Sequence, residues 1–344
     1  MQVTAPIDRL PTPLPDETAD PQAGLSPFRW EDLNRWVDDH SVDPELLAHF
    51  RGLAARKPGA AQAAFRALGR GMNTLLRIGS YDEFLRCPWN ELVELYAEQV
   101  VRSQRYDRSP EARTLGGEVP LSGKAFEAVI RTNHQHPCTG ATVHRRVEAV
   151  RRLCPPDAPV LVLGDDDWLS LALAEAGYGD VTTLDIDAKL IGRLDAEAKR
   201  RGVALKARVQ DFTGPLAPDM ARPYHLAVFD PMCTVEGVKF FTEAALHLSN
   251  GSPDTTLFLN THLMSLLRPG LAELRRFLDG KGLEVAEFHP AFNVYPVSPG
   301  TRKMLRILLE TLNGTFLRSP ALRAGDSVVK WFVSDAMVLR RRPS

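Results

Sequence analysis

The chain has 344 residues, enough for one large domain or for a core domain with a smaller partner. Its 42 basic and 43 acidic residues leave a formal net charge of -1, so no overall field favours nucleic acid or an anionic membrane surface. The four cysteines form no C-x-x-C pair, and no apolar run approaches the roughly 20 residues of a membrane span. We therefore expect a cytoplasmic protein that acts on a small molecule, without a nucleic-acid or membrane partner. A homodimer is compatible with this sequence.

The chain divides into three parts by composition. Residues 1–27 are rich in proline, which removes backbone donors and fixes φ, so they predict an arm without a helix or a central strand. In the next part, 28–142, apolar residues first recur at helical spacing, and a loop-rich polar stretch follows from 103. We expect a helical cap with a substrate loop there, and a catalytic domain at 143–344.

From a helix at about 142–153 onwards, short β-rich runs alternate with helical spacing. The runs are Pro159–Leu163, Val181–Leu184, Ala204–Val209, His225–Phe229 and Thr255–Asn260. Strands separated by helices predict a parallel sheet with helices on both faces. Two later strand-like runs, Leu283–His289 and Val328–Leu339, suit a closing antiparallel pair.

The first strand runs into the acidic turn Gly164-Asp165-Asp166-Asp167 ahead of a helical pattern. Glycine lets the backbone turn sharply towards a nucleotide, and acids at this point also suit a cationic sulfonium. The usual G-x-G-x-G is absent, so the glycine pattern alone is weak evidence for a nucleotide. The alternative is that the three aspartates only cap the following helix.

Further acids follow at the ends of the next two strands. Asp185 comes about twenty residues after the glycine turn, which is the spacing of a ribose-binding carboxylate, while Asp187 would cap the next helix. Asp211 and Phe212 follow the third strand, where Rossmann-like nucleotide-binding domains hold adenine. These signals predict an α/β protein with a class I S-adenosylmethionine (SAM)-dependent methyltransferase-like Rossmann fold. Its sheet would be mostly parallel and seven-stranded, and a helical N-terminal domain would precede it.

The fourth strand ends in Asp230-Pro231-Met232. An Asp-Pro pair here resembles the Asp/Asn-Pro-Pro motif of amino-group alkyltransferases, in which the carboxylate and nearby carbonyls hold an amine with its lone pair facing the electrophile. Asp230 is therefore the candidate that orients or deprotonates a nitrogen nucleophile, with Pro231 beside the donor. The alternative is that Asp230 caps the helix predicted at Val235–Ala245.

The polar stretch that follows residue 103 could close over substrate, or it could hold a metal ion. His134, His136, Cys138 and His144 follow the spacing H-x-H-x-C-x5-H. Because no paired C-x-x-C accompanies them, we expect no metal and assign the loop to closure over substrate. Serine catalysis is not supported either, since the sequence contains no G-x-S-x-G.

With these residues placed, the sequence resembles the branched-chain polyamine synthases, the bis(aminopropyl)spermidine synthase family of SAM-fold aminopropyltransferases. The resemblance covers about 155–300. It is carried by Leu163-Gly-Asp-Asp-Asp167, Leu184-Asp-Ile-Asp187, Phe229-Asp-Pro-x-x-Thr-Val-Glu236 and Phe292-Asn-x-Tyr295. Such enzymes direct attack to the propyl carbon next to sulfur and release 5'-methylthioadenosine.

The resemblance implies roles for individual residues. Asp230 would activate the amine, and Asp185 and Asp211 would hold the nucleoside. The pocket around the transferred chain would be lined by Phe292, Asn293 and Tyr295. The residues assigned to the donor are Gly164, Asp165, Asp166, Asp185, Asp211, Phe212 and Pro231, and those assigned to catalysis are Asp230, Tyr295 and Asn293. Either Asp230 or Tyr295 would accept the proton.

Two departures from the family pattern bear on the substrate. The Asp-Pro-Pro of the family is here Asp230-Pro231-Met232, and its acidic C-terminal tail, suited to a polycation, is replaced by an arginine-rich end at 339–344. The sequence is also similar to azetidine-2-carboxylate synthases, in which the amino group of SAM attacks its own γ-carbon and no external amine is needed.

The sequence thus favours C–N bond formation at the aminocarboxypropyl carbon of SAM, which is a substrate here. Cyclisation to azetidine-2-carboxylate is the first expectation, and aminopropyl transfer from decarboxylated SAM to a branched polyamine is the second. N-methyl transfer is the third, and a fold that binds partners without catalysis is the remaining alternative.

Overall fold

The computed structural model describes residues 99–100, 102–109, 111–112, 135–297 and 329–342. The arm expected at 1–27 and most of the expected cap lie outside these ranges. The predicted division of the chain into three parts therefore stays a prediction. Where the chain is described, strands and helices alternate in the order that the sequence predicts.

The strands of the described part form one sheet. They are β1 Val160–Leu163, β2 Val181–Asp185, β3 Lys206–Val209, β4 Leu226–Phe229, β5 Thr256–Thr261, β6 Leu283–Pro296 and β7 Trp331–Arg341. The helices are α1 Gly140–Leu153, α2 Leu169–Glu175, α3 Ala188–Arg201, α4 Val235–Leu248 and α5 Leu267–Gly280. No helix in the described ranges is long and apolar enough to cross a membrane.

The strand order is β3-β2-β1-β4-β5-β7-β6. β1 to β5 pair in parallel, and β7 is antiparallel to both of its neighbours, so the predicted mostly parallel seven-stranded sheet is confirmed. The chain leaves β1 towards β2 on one side, and β4 lies on the other. The carboxyl ends of β1 and β4 therefore border the point where the strand order reverses, which is where such sheets bind ligands.

Helices cover both faces of the sheet. On one face, α4 and α5 pack against alternate residues of the central strands, such as Leu161 and Leu163 of β1. On the other face, Val160 and Val162 pack against α1 and α2. This burial on both faces explains why β1 and β4 contain only apolar residues.

The Thr139 side chain caps helix α1 by accepting a hydrogen bond from the backbone of Thr142. The helix ends at Leu153, and Cys154 and two prolines follow. Its buried face includes Val147 and Val150, which pack on the sheet. Arg146 is buried on the same helix. An arginine on a buried helix face needs polar partners.

Strand β6 is longer than the sequence predicts because it continues beyond His289 through an irregular stretch. Its pairing with β7 shifts register between Val285 and Glu287 and again between His289 and Asn293. Within the second shift, Ala291 adopts φ +54, a left-handed conformation that is rare for alanine, and its amide donates to the Asp335 carboxylate at 3.0 Å. The continuation carries Asn293 to the carboxyl edge of the sheet.

Two short helical stretches, 99–100 and 102–107, dock on β7. Arg102 lies 2.7 Å from Asp335 in a pair that is almost fully buried. Gln99 exchanges hydrogen bonds with the backbone of Val333. These residues lie in the region in which the sequence predicts a helical cap.

Candidate active site

The site begins at the turn after β1. Gly164 adopts φ +71, and a Cβ there would lie 3.4 Å from the Phe241 ring, so this position requires glycine for its backbone conformation. Trp168 precedes α2 with φ +63, also in the left-handed region. The three aspartates of the acidic turn thus lie between two left-handed positions, Gly164 and Trp168.

The three aspartates of the turn have different surroundings. Asp165 is fully buried and accepts hydrogen bonds from Ser170 and Thr183. Asp167 accepts from the backbone of Leu169. Both carboxylates therefore accept hydrogen bonds from backbone amides in the first turn of α2, although the N-cap position itself is Trp168.

Asp166 lies between these two and is half-buried. Across the described ranges, its carboxylate makes no hydrogen bond or ion pair of its own, although other carboxylates lie close enough to influence its charge. Two aspartates of the turn therefore maintain the structure, and the third is available to a ligand.

Asp185 ends β2 beside this turn, as the pairing of Leu163 with Leu184 requires. Its Oδ2 accepts from the backbone of Asp165 at 3.1 Å, and its Oδ1 accepts from the backbone of Asp187 at 2.7 Å and from the Gln135 side chain at 3.2 Å. Asp187 caps α3, as predicted.

Asp230 directly follows β4, and its side chain is 18% exposed. Its Oδ2 accepts from the Tyr295 hydroxyl at 2.6 Å and from Nη2 of Arg146 at 2.5 Å. Its Oδ1 accepts no hydrogen bond within the part of the chain that is described. The capping alternative for Asp230 is wrong, because the Thr234 side chain caps α4 by accepting from Gly237.

Arg146 connects these groups, and sequence reasoning missed it. Its side chain is 2% exposed. Nε donates to Asn293 at 2.9 Å, Nη1 donates to Asp167, and Nη2 donates to Asp230 and to Tyr295. The available signal was its position on α1, one residue before Val147 and four before Val150 on the buried face.

The site has an excess of negative charge. Asp167 and Asp230 pair with the buried Arg146, and Asp166 lies near all three of these groups. Asp165 and Asp185 add two further carboxylates that interact with Asp167 and Asp166. Burial raises the pKa of Asp165 to about 8, with Asp167 adding to the shift. Burial and Asp167 raise the pKa of Asp166 well above its usual range. A cationic ligand among these carboxylates would lower their pKa values, so the cluster favours cations.

Asp230 and Tyr295 differ as proton acceptors. Burial raises the pKa of Asp230, whereas the Arg146 guanidinium and the hydrogen bonds from Tyr295 and Arg146 lower it. Burial and the neighbouring Asp230 hold the pKa of Tyr295 well above its usual range, so its hydroxyl stays protonated and donates. A hydroxyl that stays protonated cannot accept a proton, so Asp230 is the candidate acceptor of the two.

Asn293 and Phe292 occupy positions behind the site. Asn293 is fully buried and holds Nε of Arg146 while its own amide donates to Ser334 and the backbone of Asp335. The Phe292 ring packs edge-on against Phe258 in the core. Their contact with a transferred chain stays a prediction.

Asp211 and Phe212 follow β3, the strand that pairs with β2. Asp211 is exposed, and its Oδ1 accepts from the amide and hydroxyl of Thr213. Phe212 packs edge-on against Phe241. Pro231 is buried next to Asp230. The roles of these three residues towards the donor stay predictions.

Two of the loop residues considered as metal ligands, His136 and Cys138, engage protein groups. Nε2 of His136 lies 2.9 Å from the backbone oxygen of Pro296, and the Cys138 thiol donates to Asp167 at 3.1 Å. His134 lies outside the described residues. Across the described ranges, no group of three or more histidine, cysteine or acidic side chains is arranged to hold a metal ion.

The sheet order and the acidic turn after β1 define an α/β protein with the class I SAM-dependent methyltransferase-like fold. The model of the branched-chain polyamine synthase A C-terminal domain family matches residues 127–311, more than half of the chain. The chain belongs to this family, and the resemblance seen in the sequence is confirmed.

Among curated proteins, the N(4)-bis(aminopropyl)spermidine synthase of Thermus thermophilus is 33% identical over 137 residues, which are 40% of either chain. A protein of Methanocaldococcus jannaschii without an assigned function is 25% identical over 150 residues, 40% of this chain and 34% of that one. The chain therefore matches less than half the length of these relatives.

Among solved structures, the branched-chain polyamine synthase of Thermus thermophilus in complex with N4-aminopropylspermidine and 5'-methylthioadenosine is 21% identical with a TM-score of 0.51. The match covers 71% of this chain and 65% of that one. At this identity the match establishes the fold. It agrees with the sheet described above.

Proposed function

We propose that this chain transfers an aminopropyl group from decarboxylated SAM to an amine, with release of 5'-methylthioadenosine. Membership of the branched-chain polyamine synthase family supports this activity. The curated relative is named for aminopropylated spermidine. Cyclisation of SAM to azetidine-2-carboxylate, the first expectation from the sequence, finds no support in these comparisons.

The observation that carries the proposal is the orientation of Asp230. Both hydrogen bonds to this carboxylate, from Tyr295 and Arg146, are made to Oδ2. Oδ1 is left to accept a hydrogen bond from the attacking nitrogen, which aligns the nitrogen lone pair with the carbon to be attacked. This arrangement supplies the proximity and orientation that a displacement reaction needs.

The charges favour a donor without a carboxylate. The carboxylate of SAM would need a cationic partner, yet Arg146 is already bonded to Asn293, Asp167, Asp230 and Tyr295. The aminopropyl chain of decarboxylated SAM ends instead in an ammonium. The half-buried carboxylate of Asp166 is a suitable partner for that ammonium.

The nucleoside part of the donor would bind at the ends of β2 and β3. Asp185 can accept hydrogen bonds from the two ribose hydroxyls, and Gln135 already reaches this carboxylate. Ile186, which follows Asp185, is 55% exposed, and Val209 at the end of β3 is 53% exposed. An adenine ring would bury these apolar side chains.

The reaction balances without a further reagent. The lone pair of the amine forms the new C–N bond at the propyl carbon attached to sulfur, and the C–S bond breaks with its electrons passing to sulfur. The sulfonium becomes the neutral thioether of 5'-methylthioadenosine. The nitrogen then loses one proton, which Asp230 accepts and releases to water.

Incubation of the purified protein with decarboxylated SAM and spermidine tests the proposal, with products identified by mass spectrometry. We expect 5'-methylthioadenosine and an aminopropylated amine in equal amounts. Asp230→Asn should abolish turnover while 5'-methylthioadenosine still binds. The exposed Asp219→Asn, whose partner is Arg208, is the control and should remain active.

Other products would overturn the proposal. A cyclic C4 amino acid formed from SAM alone would identify a cyclase, and S-adenosylhomocysteine would identify methyl transfer. If no product forms with any donor or amine, the assignment as an enzyme is itself wrong.

A further inference from the structure

We infer that Arg146 is a positioning residue for the reaction: it holds Asp230 with one oxygen turned towards the acceptor nitrogen, and its positive charge faces that carboxylate. The inference rests on the proposed function and adds a residue and a role to it. Arg146 would not touch the substrate, because its own partners are protein groups.

The first support is the geometry of the guanidinium. Nη2 donates to both members of the Asp230–Tyr295 pair, at 2.5 and 2.9 Å, so one nitrogen orients the carboxylate and the phenol together. Tyr295 in turn donates to the same Oδ2 at 2.6 Å. These three groups form a closed triangle of hydrogen bonds. Asp230 cannot rotate without breaking two of its sides.

The second support is how firmly the guanidinium is itself held. Nε donates to Asn293, which is anchored to β7, and Nη1 donates to Asp167 in the turn after β1. Four acceptors on β4, β6 and the turn therefore converge on a planar fork. Lysine offers three donors from one point and cannot reproduce that pattern.

The third support is burial. The Arg146 side chain is 2% exposed, and a charge this deep in the protein is costly unless its interactions offset the lost hydration. The groups facing Asp230 are Arg146 from α1, Tyr295 from β6, Asp166 and Asp167 from the turn, and Cys138 from the segment before α1. Arg146 is the cation among them, so its removal leaves Asp230 beside two other carboxylates.

The experiment separates charge from geometry with two variants. Arg146→Met removes the charge, so the acid limb of the pH–rate profile, set by Asp230, should move to higher pH, and kcat should fall. Arg146→Lys keeps the charge but loses the fork. Its acid limb should stay close to that of the wild type while kcat falls about 100-fold, because the nucleophile is misplaced.

Arg102→Met is the matched control. Arg102 is also buried and paired with an aspartate, Asp335, but it does not contact Asp230. This variant should lose stability without a shift of the acid limb. If Arg146→Met or Arg146→Lys folds with the kcat and acid limb of the wild type, Arg146 has only a structural role and the inference is wrong.

A second readout does not depend on turnover. Carbon-13 resonances of labelled aspartate carboxyls, with Asp230 assigned by comparison with Asp230→Asn, report the pKa of Asp230 directly. That pKa should rise in Arg146→Met and stay near the wild-type value in Arg146→Lys. If Arg146→Met does not fold, an unchanged kcat in Arg146→Lys still overturns the positioning role. An inactive wild type would refute the proposed function, while the resonances would still test how Arg146 controls Asp230.

Discussion

The Tyr295 hydroxyl lies 2.6 Å from Oδ2 of Asp230, although the two residues end strands that are separated in the sheet by β5 and β7. The tyrosine bridges this separation from the irregular end of β6. Its hydroxyl is a donor and not a base, because burial and Asp230 hold the pKa of the phenol well above its usual range.

Tyr295→Phe should therefore lower kcat about 10- to 100-fold, since a hydrogen bond to a charged group contributes about 1.5–3 kcal/mol. Binding of 5'-methylthioadenosine should change little. The control is Tyr178→Phe, which removes another buried hydroxyl, bonded to the backbone of Cys154. Steady-state kinetics on both variants test this prediction. Equal losses of kcat in the two variants would contradict it.

Asp185→Asn should weaken the binding of 5'-methylthioadenosine about 10- to 100-fold, because a neutral amide accepts ribose hydroxyls less strongly than a carboxylate does. Titration calorimetry measures the change. Asp187→Ser is the control, since serine also caps helices and Asp187 serves α3. An affinity of Asp185→Asn equal to that of the wild type would show that the ribose binds elsewhere.

The free energy of unfolding of the ligand-free protein should fall between pH 5 and pH 7 because Asp165 loses its proton. Burial raises the pKa of this carboxyl to about 8. The stabilising contribution of its protonated form is therefore complete at low pH and is lost as pH rises towards 8. One such group changes the free energy of unfolding by at most about 1.4 kcal/mol for each pH unit.

Urea denaturation of the wild type and Asp165→Asn at pH 5, 6 and 7 checks this expectation. The variant cannot titrate at this position, so its free energy of unfolding should fall less steeply with pH. Parallel pH dependences in the two proteins would assign the effect to other carboxyls.

Two glycine substitutions should act in opposite directions. Gly164→Ala should destabilise the fold by about 1–2 kcal/mol, because φ is +71 and the new methyl group meets Phe241. Gly192→Ala should stabilise it by about 0.5–1 kcal/mol, because Gly192 lies inside α3 with no atom near its Cβ direction. Thermal unfolding of both variants tests the pair. A stabilising Gly164→Ala would show that the turn does not require a left-handed residue.

The sequence predicts the parallel part of this fold well because its signals are local. Short apolar runs define β1 and β4, and the spacing from Gly164 to Asp185 places an acid on the neighbouring strand. The structure also shows that the three aspartates of the acidic turn have different partners, which their spacing in the sequence does not reveal. Asp165 and Asp167 bond to nearby backbone or hydroxyl groups, and Asp166 does not.

What the sequence did not predict depends on contacts between distant parts of the chain. Arg146 looks like one of several arginines on α1 until β4 and β6 are placed around it. The extension of β6 past His289 depends on Asp335, which binds the strained Ala291 backbone from β7. No local sequence pattern predicts a register shift that is stabilised by a side chain from another strand.

The position of β7 between β5 and β6 has a consequence for how the protein matures. β6 has no sheet partner other than β7 in the described part of the chain, so it joins the sheet edge only after β7, which follows it in the chain, has inserted. A nascent chain released before Trp331 would already contain every aspartate of the site. It would not yet have brought Tyr295 to Asp230, so this pair forms only after the last strand has been synthesised.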